Sequence, residues 1–170
     1  MVFLNKEEEH FYMKQRGFEI ISDYEGKGIN LPERATTGAA GYDFEAAETV
    51  IVPSIWQQKE AGEAPKPTLV KTGIKSFMGE GEYLELVSRS SNPLKRFLML
   101  ANGVGVIDRD YYNNPDNEGH IMFQFLNFGY EEVRIEKGER IGQGIFKPFL
   151  LADDDHVENE RTGGFGSSGQ

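Results

Sequence analysis

The chain has 170 residues, no cysteine and a formal net charge of −10. That length suits one domain with short arms, and the missing cysteine excludes disulfides and thiolate metal sites and points to a reducing compartment. The acidic balance, with no basic stripe, argues against polymeric DNA or RNA as the ligand, but a few local arginines and a metal ion can outweigh global charge for a small anion.

The opening MVFLNKEEEHFYMKQ has no apolar run behind a basic flank, so it does not read as a signal peptide; residues 1–15 read as an appended arm or short helix. No stretch reaches the length of a membrane span, and with no address visible the cytoplasm is the expected location. AAGYDFEAAE brings Asp43 out of a run of small residues, where a lone aspartate ordinarily serves a turn or cap. PSIWQQKEAGEAPKP, Pro53–Pro67, is polar and broken by proline and glycine, and reads as a surface loop. TLVKTGIKSF and EYLELV alternate as half-buried strands do.

SRSSN, Ser88–Asn92, sets an arginine and two hydroxyls before a predicted helix from Pro93 to about Leu98. Free N–H groups there suit a phosphate; the plainer reading is a serine cap with a solvated arginine. NGVGVIDRDYYNNPDNEG, Asn102–Gly119, runs an apolar Val104–Ile107 into Asp108, Asp110 and Tyr111. Glycines 103 and 105 allow close approach to the backbone, and a carboxylate beside a tyrosine at a strand end can orient a water. Its plainer reading is a turn.

In HIMFQF, Ile121, Phe123 and Phe125 share one face, and in EEVRIEKGER, Val133 and Ile135 do. GERIGQGIF puts Arg140 and Gln143 among glycines, as a bulged strand does. Many short strands with turns between them predict an all-β sandwich or barrel. Asp153–Asp155 before His156 read as a solvated connector. The tail RTGGFGSSGQ is a flexible linker by composition, yet it carries an arginine and a phenylalanine that a linker does not need. A Walker-type phosphate loop, a cysteine-ligated deaminase zinc and a serine nucleophile elbow are all absent from the sequence, and His10, His120 and His156 lack close metal-ligand spacing.

Taken together, AGYDFEAAE, SRSSN, GVGVIDRDYY, RIGQG and RTGGFGSSG resemble, in order and spacing, the five motifs of trimeric deoxyuridine triphosphatases, the dUTPases. The resemblance covers Arg34 to the C-terminus, and the Asn-Pro-Asp-Asn-Glu-Gly-His insertion is similar to a variant of Gram-positive bacteria and their phages. It implies a jelly-roll β-barrel with one short helix over residues 16–152, a homotrimer, and a C-terminal arm over 153–170 that closes a neighbouring active site. It also implies hydrolysis of dUTP to dUMP and pyrophosphate, with Mg²⁺ held by the triphosphate and waters rather than directly by the protein.

By the same resemblance Asp108 is the general base, and Tyr111 lies against the deoxyribose. Asn102, Gly103, Val104, Gly105 and Ile107 pair with the uracil edge, largely through backbone. Arg89, Ser90, Ser91 and Gln143 hold phosphates, and Asp43 supports the site through hydrogen bonds. In the arm, Phe165 stacks on uracil, Arg161 with Ser167 or Ser168 grips the γ-phosphate, and Gly166 lets the backbone bend. Three departures stand out: Asn113 replaces the glycine that closes the third motif, Gly142 and Gly144 are unusually small, and Arg161 is one residue nearer Phe165 than is common. The last leaves another aromatic open as the lid. Two other roles lie within reach of the resemblance: a dCTP deaminase-type relative, and a regulatory protein, since some phage members also bind a repressor.

Overall fold

The computed structural model describes residues 14–158, 161, 163 and 164. Residues 1–13, most of the expected N-terminal extension, lie outside the described residues, as do Phe165, Gly166, Ser167 and Ser168. In chain order the elements are β1 (Gly17–Ile20), β2 (Tyr42–Glu45), β3 (Val50–Val52), α1 (Ile55–Glu60), β4 (Thr68–Lys71), β5 (Ile74–Phe77), β6 (Glu82–Ser88), α2 (Ser91–Arg96), β7 (Leu98–Leu100), β8 (Gly105–Asp108), β9 (Met122–Asn127), β10 (Val133–Ile135) and β11 (Arg140–Pro148). Short 3₁₀ turns lie at Ser22–Tyr24 and Arg109–Tyr111.

The strands alternate as their sequences require. In β9, Phe123, Phe125 and Asn127 point inward; in β6, Leu84 and Leu86 do; in β10, Ile135 does. The apolar ones among these residues meet Phe44, Val52, Val70, Ile74, Leu98 and Ile121 in one core. Burying such side chains stabilises the fold by roughly 1.5–3 kcal/mol each. Gly142 in β11 is set by this packing: a Cβ there would stand 2.0 Å from the Phe123 ring.

The expected jelly-roll barrel does not form. All strand pairs are antiparallel, but they fall into separate sheets: β2-β11-β6-β8, β4-β9-β7, β1-β5 and β10-β3. The hydrogen-bond ladder is not continuous around the core, because most strands are three or four residues long and β11 shifts register against β2 between Arg140 and Gly142. A barrel needs an unbroken, uniformly staggered ladder. Among the described residues no strand pairs with the outer edge of β8, and a pocket forms along that strand.

Two helical predictions are corrected as well. Among the described residues there are two α-helices rather than one. α1 lies inside Pro53–Pro67, where a loop was expected; Ser54 and Gln57 form a reciprocal capping box at its start. Trp56 Nε1 donates to the Phe128 carbonyl at 3.2 Å and its ring stacks on Tyr130, which docks the helix. α2 starts at Ser91 rather than Pro93, and ends at Arg96 because Phe97 turns left-handed at φ 55°. Leu98 therefore opens a strand and is fully buried. Among the described residues no helix is long and apolar enough to cross a membrane.

Candidate active site

The turn after β7 and the first residues of β8 shape a pocket of about 350 Å³. Gly103, at φ 69°, donates its N–H to the Leu100 carbonyl and reverses the chain. Gly105 then lies so close to β6 that a Cβ would come within 3.0 Å of Leu86. Asn102, Gly105, Ile107, Asp108, Tyr111 and Arg161 line the pocket. Gly103 and Val104 form the turn outside its wall, and Val104 is exposed.

Asp108 sits at the pocket rim, and Arg161 bridges it to Asp110, with Nη2–Oδ2 of 2.5 Å and Nε–Oδ1 of 2.7 Å. The same guanidinium lies 5.8 Å from the centroid of the Tyr111 ring, a cation–π arrangement. Tyr111 is buried, and desolvation pushes its hydroxyl pKa above the ordinary 10. Gly164 packs onto that ring, where a Cβ would stand 2.6 Å from Cε2.

A second cluster lies elsewhere on the same sheet. Asp43 of β2 is 7% exposed, and three basic or amide groups converge on it. Gln143 Nε2 donates to its Oδ1 at 3.1 Å, Arg140 Nη1 lies 3.3 Å from Oδ2, and Arg89 Nε lies 3.7 Å from Oδ1. Arg89 also donates to the Arg140 carbonyl at 3.2 Å. Ser90 and Ser91 begin α2 just beyond, and Ser90 makes no side-chain capping bond. Asn92 anchors that helix instead, donating to the Ile141 carbonyl at 2.8 Å and to Ser88 Oγ at 3.2 Å.

One chain does not bring the two clusters together. Asp108 stands opposite Tyr83 on β6, whereas Gly142, next to Gln143, stands opposite Ser88 at the far end of that strand. At strand rise the two levels are about 16 Å apart. The Arg89 side chain moreover turns toward Asp43, on the edge of the sheet opposite β8.

Sequence reasoning missed several wall residues: Leu86, His120, Met122 and Gln124. His120 Nε2 accepts the Gly73 N–H at 2.9 Å, so the ring is held neutral; burial, and secondarily the charge of Lys71, lower its pKa from 6.5 to about 4. No local motif marks it, because its partner is remote in sequence. Arg140 lay inside the RIGQG segment, and only the fold shows it pairing with Asp43. Among the described residues no three metal-ligating side chains converge. The carboxylates at both clusters already face arginines, so this donor set suits an ion that arrives on an anionic ligand with its waters.

A β-sheet scaffold with a concave small-molecule pocket and a carboxylate at its rim defines the class: a small β-sheet enzyme. A dUTPase family model matches residues 27–169. The chain is 55% identical over 159 residues to the deoxyuridine 5'-triphosphate nucleotidohydrolase of Lactococcus lactis subsp. lactis, spanning 92% of this chain and 99% of that one. A dUTPase from Streptococcus mutans has a similar structure, with a TM-score of 0.71 and 49% identity over 81% of this chain and 98% of that one. A dUTPase from phage phi11 of S. aureus, at 20% identity and a TM-score of 0.65 over 91% of this chain and 99% of that one, shares the fold alone. The chain belongs to the dUTPase family, a family of hydrolases.

Proposed function

We propose that this chain hydrolyses dUTP to dUMP and pyrophosphate, limiting uracil in DNA and supplying the precursor of dTTP. The observation that carries the reading is one pocket wall that joins Asp108 and Tyr111 to Asn102, Gly105 and Ile107. Backbone groups along the edge of β8 that no described strand pairs can meet the uracil edge, as edge strands can. Cytosine offers a donor where uracil has an acceptor, and a mismatched buried polar group costs about 1–3 kcal/mol. The Tyr111 ring lies against the deoxyribose and leaves no room for a 2'-hydroxyl.

In this mechanism Asp108 orients a water and takes its proton as the oxygen attacks the α-phosphorus. The α–β bridging bond breaks and pyrophosphate leaves with the electron pair. Arg161 is released from Asp108 to the γ-phosphate as the nucleotide enters. Phe165, Gly166, Ser167 and Ser168 are proposed to follow it over the base and phosphates; they lie outside the described residues. Arg89, Ser90, Ser91 and Gln143 bind phosphate oxygens, and Asp43 holds Arg89 and Gln143 in place. Mg²⁺ belongs to this reading as a cofactor carried on the triphosphate, where it neutralises charge on the phosphate oxygens. Asp43 fits a water-mediated contact to it.

The separation of the two clusters supports a site completed between subunits, and the homotrimer itself is proposed from the family resemblance. Residues 1–15 are then an extension, 16–152 the folded domain, and 153–170 the arm; within one chain its Arg161 and Gly164 lie on Asp108 and Tyr111, and its closing of a neighbour's site in the assembly is proposed from the family resemblance. The test is product analysis with Mg²⁺ and dUTP, dCTP, dTTP or UTP. Pyrophosphate is expected from dUTP alone, with turnover reduced roughly 10²–10⁴-fold in Asp108→Asn. Ammonia from dCTP, or no turnover by folded wild type, overturns the reading.

A further inference from the structure

The segment between Tyr111 and β9 is built onto Tyr111. The tyrosine hydroxyl donates to the His120 carbonyl at 2.9 Å and accepts from Asn117 Nδ2 at 2.8 Å. Both of its hydrogen-bonding roles are filled by atoms of this segment. Asn117 is itself fixed at its other end, where Oδ1 accepts from Asn114 Nδ2 at 2.8 Å and from the Gly119 N–H at 3.1 Å. Asn114 Nδ2 also donates to the Tyr111 carbonyl at 2.8 Å. The amide of Asn117 therefore has one orientation that satisfies its neighbours.

The segment is held rigid from outside. Lys75, with a side chain only 10% exposed, donates to Asn113 Oδ1 at 2.8 Å and Glu118 Oε1 at 2.6 Å. Glu118 Oε2 accepts from the Ser22 backbone at 3.0 Å and its hydroxyl at 2.6 Å. Asn113 and Glu118 both adopt left-handed backbone, at φ 55° and 61°. Side-chain-bearing residues take that conformation when their surroundings over-determine it. Here the determinants are the Lys75 and Ser22 contacts.

We propose that Asn117 is a positioning residue for Tyr111, and that through it the 112–119 segment sets the discrimination between deoxyribo- and ribonucleotides. This rests on the reading of Tyr111 as the wall against the sugar. Steric rejection of one hydroxyl is only as strong as the wall is stiff, and a ring free to shift by about 1 Å admits the oxygen. The pocket already holds the Tyr111 ring against Arg161 and Gly164; Asn117 holds its far end.

Asn117→Asp keeps the volume and the oxygen that serves Gly119 and Asn114, and loses the N–H given to Tyr111. Tyr111→Phe keeps the ring and removes the hydroxyl. The measurement is kcat/KM for UTP against dUTP in wild type, both single variants and the double. Each single variant should raise the UTP/dUTP ratio about 10-fold, and the double should raise it no further, because both remove the same restraint. Lys75→Met, acting on the segment from a distance, should move the ratio the same way, and it decides the matter if Asn117→Asp does not fold. A ratio unchanged in the variants, or both substrates slowed in parallel, overturns the proposal while dUTP hydrolysis by wild type stands. No dUTP hydrolysis by wild type overturns the functional reading and this inference together.

Discussion

His120 is a residue whose charge state the fold decides. Its Nε2 is committed as an acceptor to the Gly73 N–H, and burial lowers its pKa to about 4 from the ordinary 6.5. Glu48, Asp23 and Glu118 pull the other way without reversing that shift. Between those two values the unfolded chain binds the proton and the folded chain does not, so stability is full above pH 6.5 and falls as pH drops toward 4. His120→Gln retains an acceptor for Gly73 and cannot protonate. Urea midpoints at pH 7.5 and pH 5 should fall more in wild type than in this variant; equal slopes would show that His120 does not carry the dependence. Asp108 and Tyr111 were nameable from one short motif because they sit within a few residues of each other, whereas Gln143 was named from its own short segment although its partner Asp43 is 100 positions away. His120 was not, since no local motif marks it and Gly73 is 47 positions away.

At the scale of elements, β11 shows how packing selects a residue that strand propensity disfavours. Glycine weakens a strand, yet Gly142 lies where the Phe123 ring occupies the space a Cβ would need. That ring is itself wedged against Phe44 and Phe125, with centroids 5.6 and 6.3 Å away, so it has nowhere to move. Gly142→Ala should therefore destabilise by about 3 kcal/mol, a fall of roughly 10 °C in Tm by calorimetry. An unchanged Tm would mean that the ring yields. The alternation in β6, β9 and β10 was legible, because a half-buried strand must repeat every second residue. α1 was misread although S-x-x-Q stood in the sequence: proline and glycine outweighed six residues whose helix is stabilised from outside, by Trp56 on Phe128 and Tyr130. α2 starts two residues before the expected Pro93, and Asn92, just ahead of that proline, is a buried anchor within it.

For the whole molecule, the arrangement of the two clusters decides what one chain can do. Asp108 and the Arg89–Arg140–Gln143 group lie at different ends of β6, about 16 Å apart along it. If each site combines Asp108 of one subunit with Arg89 of another, two defective chains can repair each other. Asp108→Asn and Arg89→Ala, each nearly inactive alone, should recover dUTP hydrolysis when refolded together, because mixed assemblies contain sites with both residues intact. Activity no greater than the two added would place the whole site within one chain.

The β-rich class and the core-facing residues of the strands were legible before folding, because they depend on local periodicity, and the family was legible because its motifs are short runs of fixed chemistry. Folding in three dimensions was needed to show that the strands form separate sheets instead of a closed barrel, that His120 joins the pocket and Arg140 joins Asp43, and that Asn117 reaches the Tyr111 hydroxyl. Ladder closure and contacts between remote strands depend on strand length, register and edge pairing summed over the chain. None of those is set by the residues of any one segment.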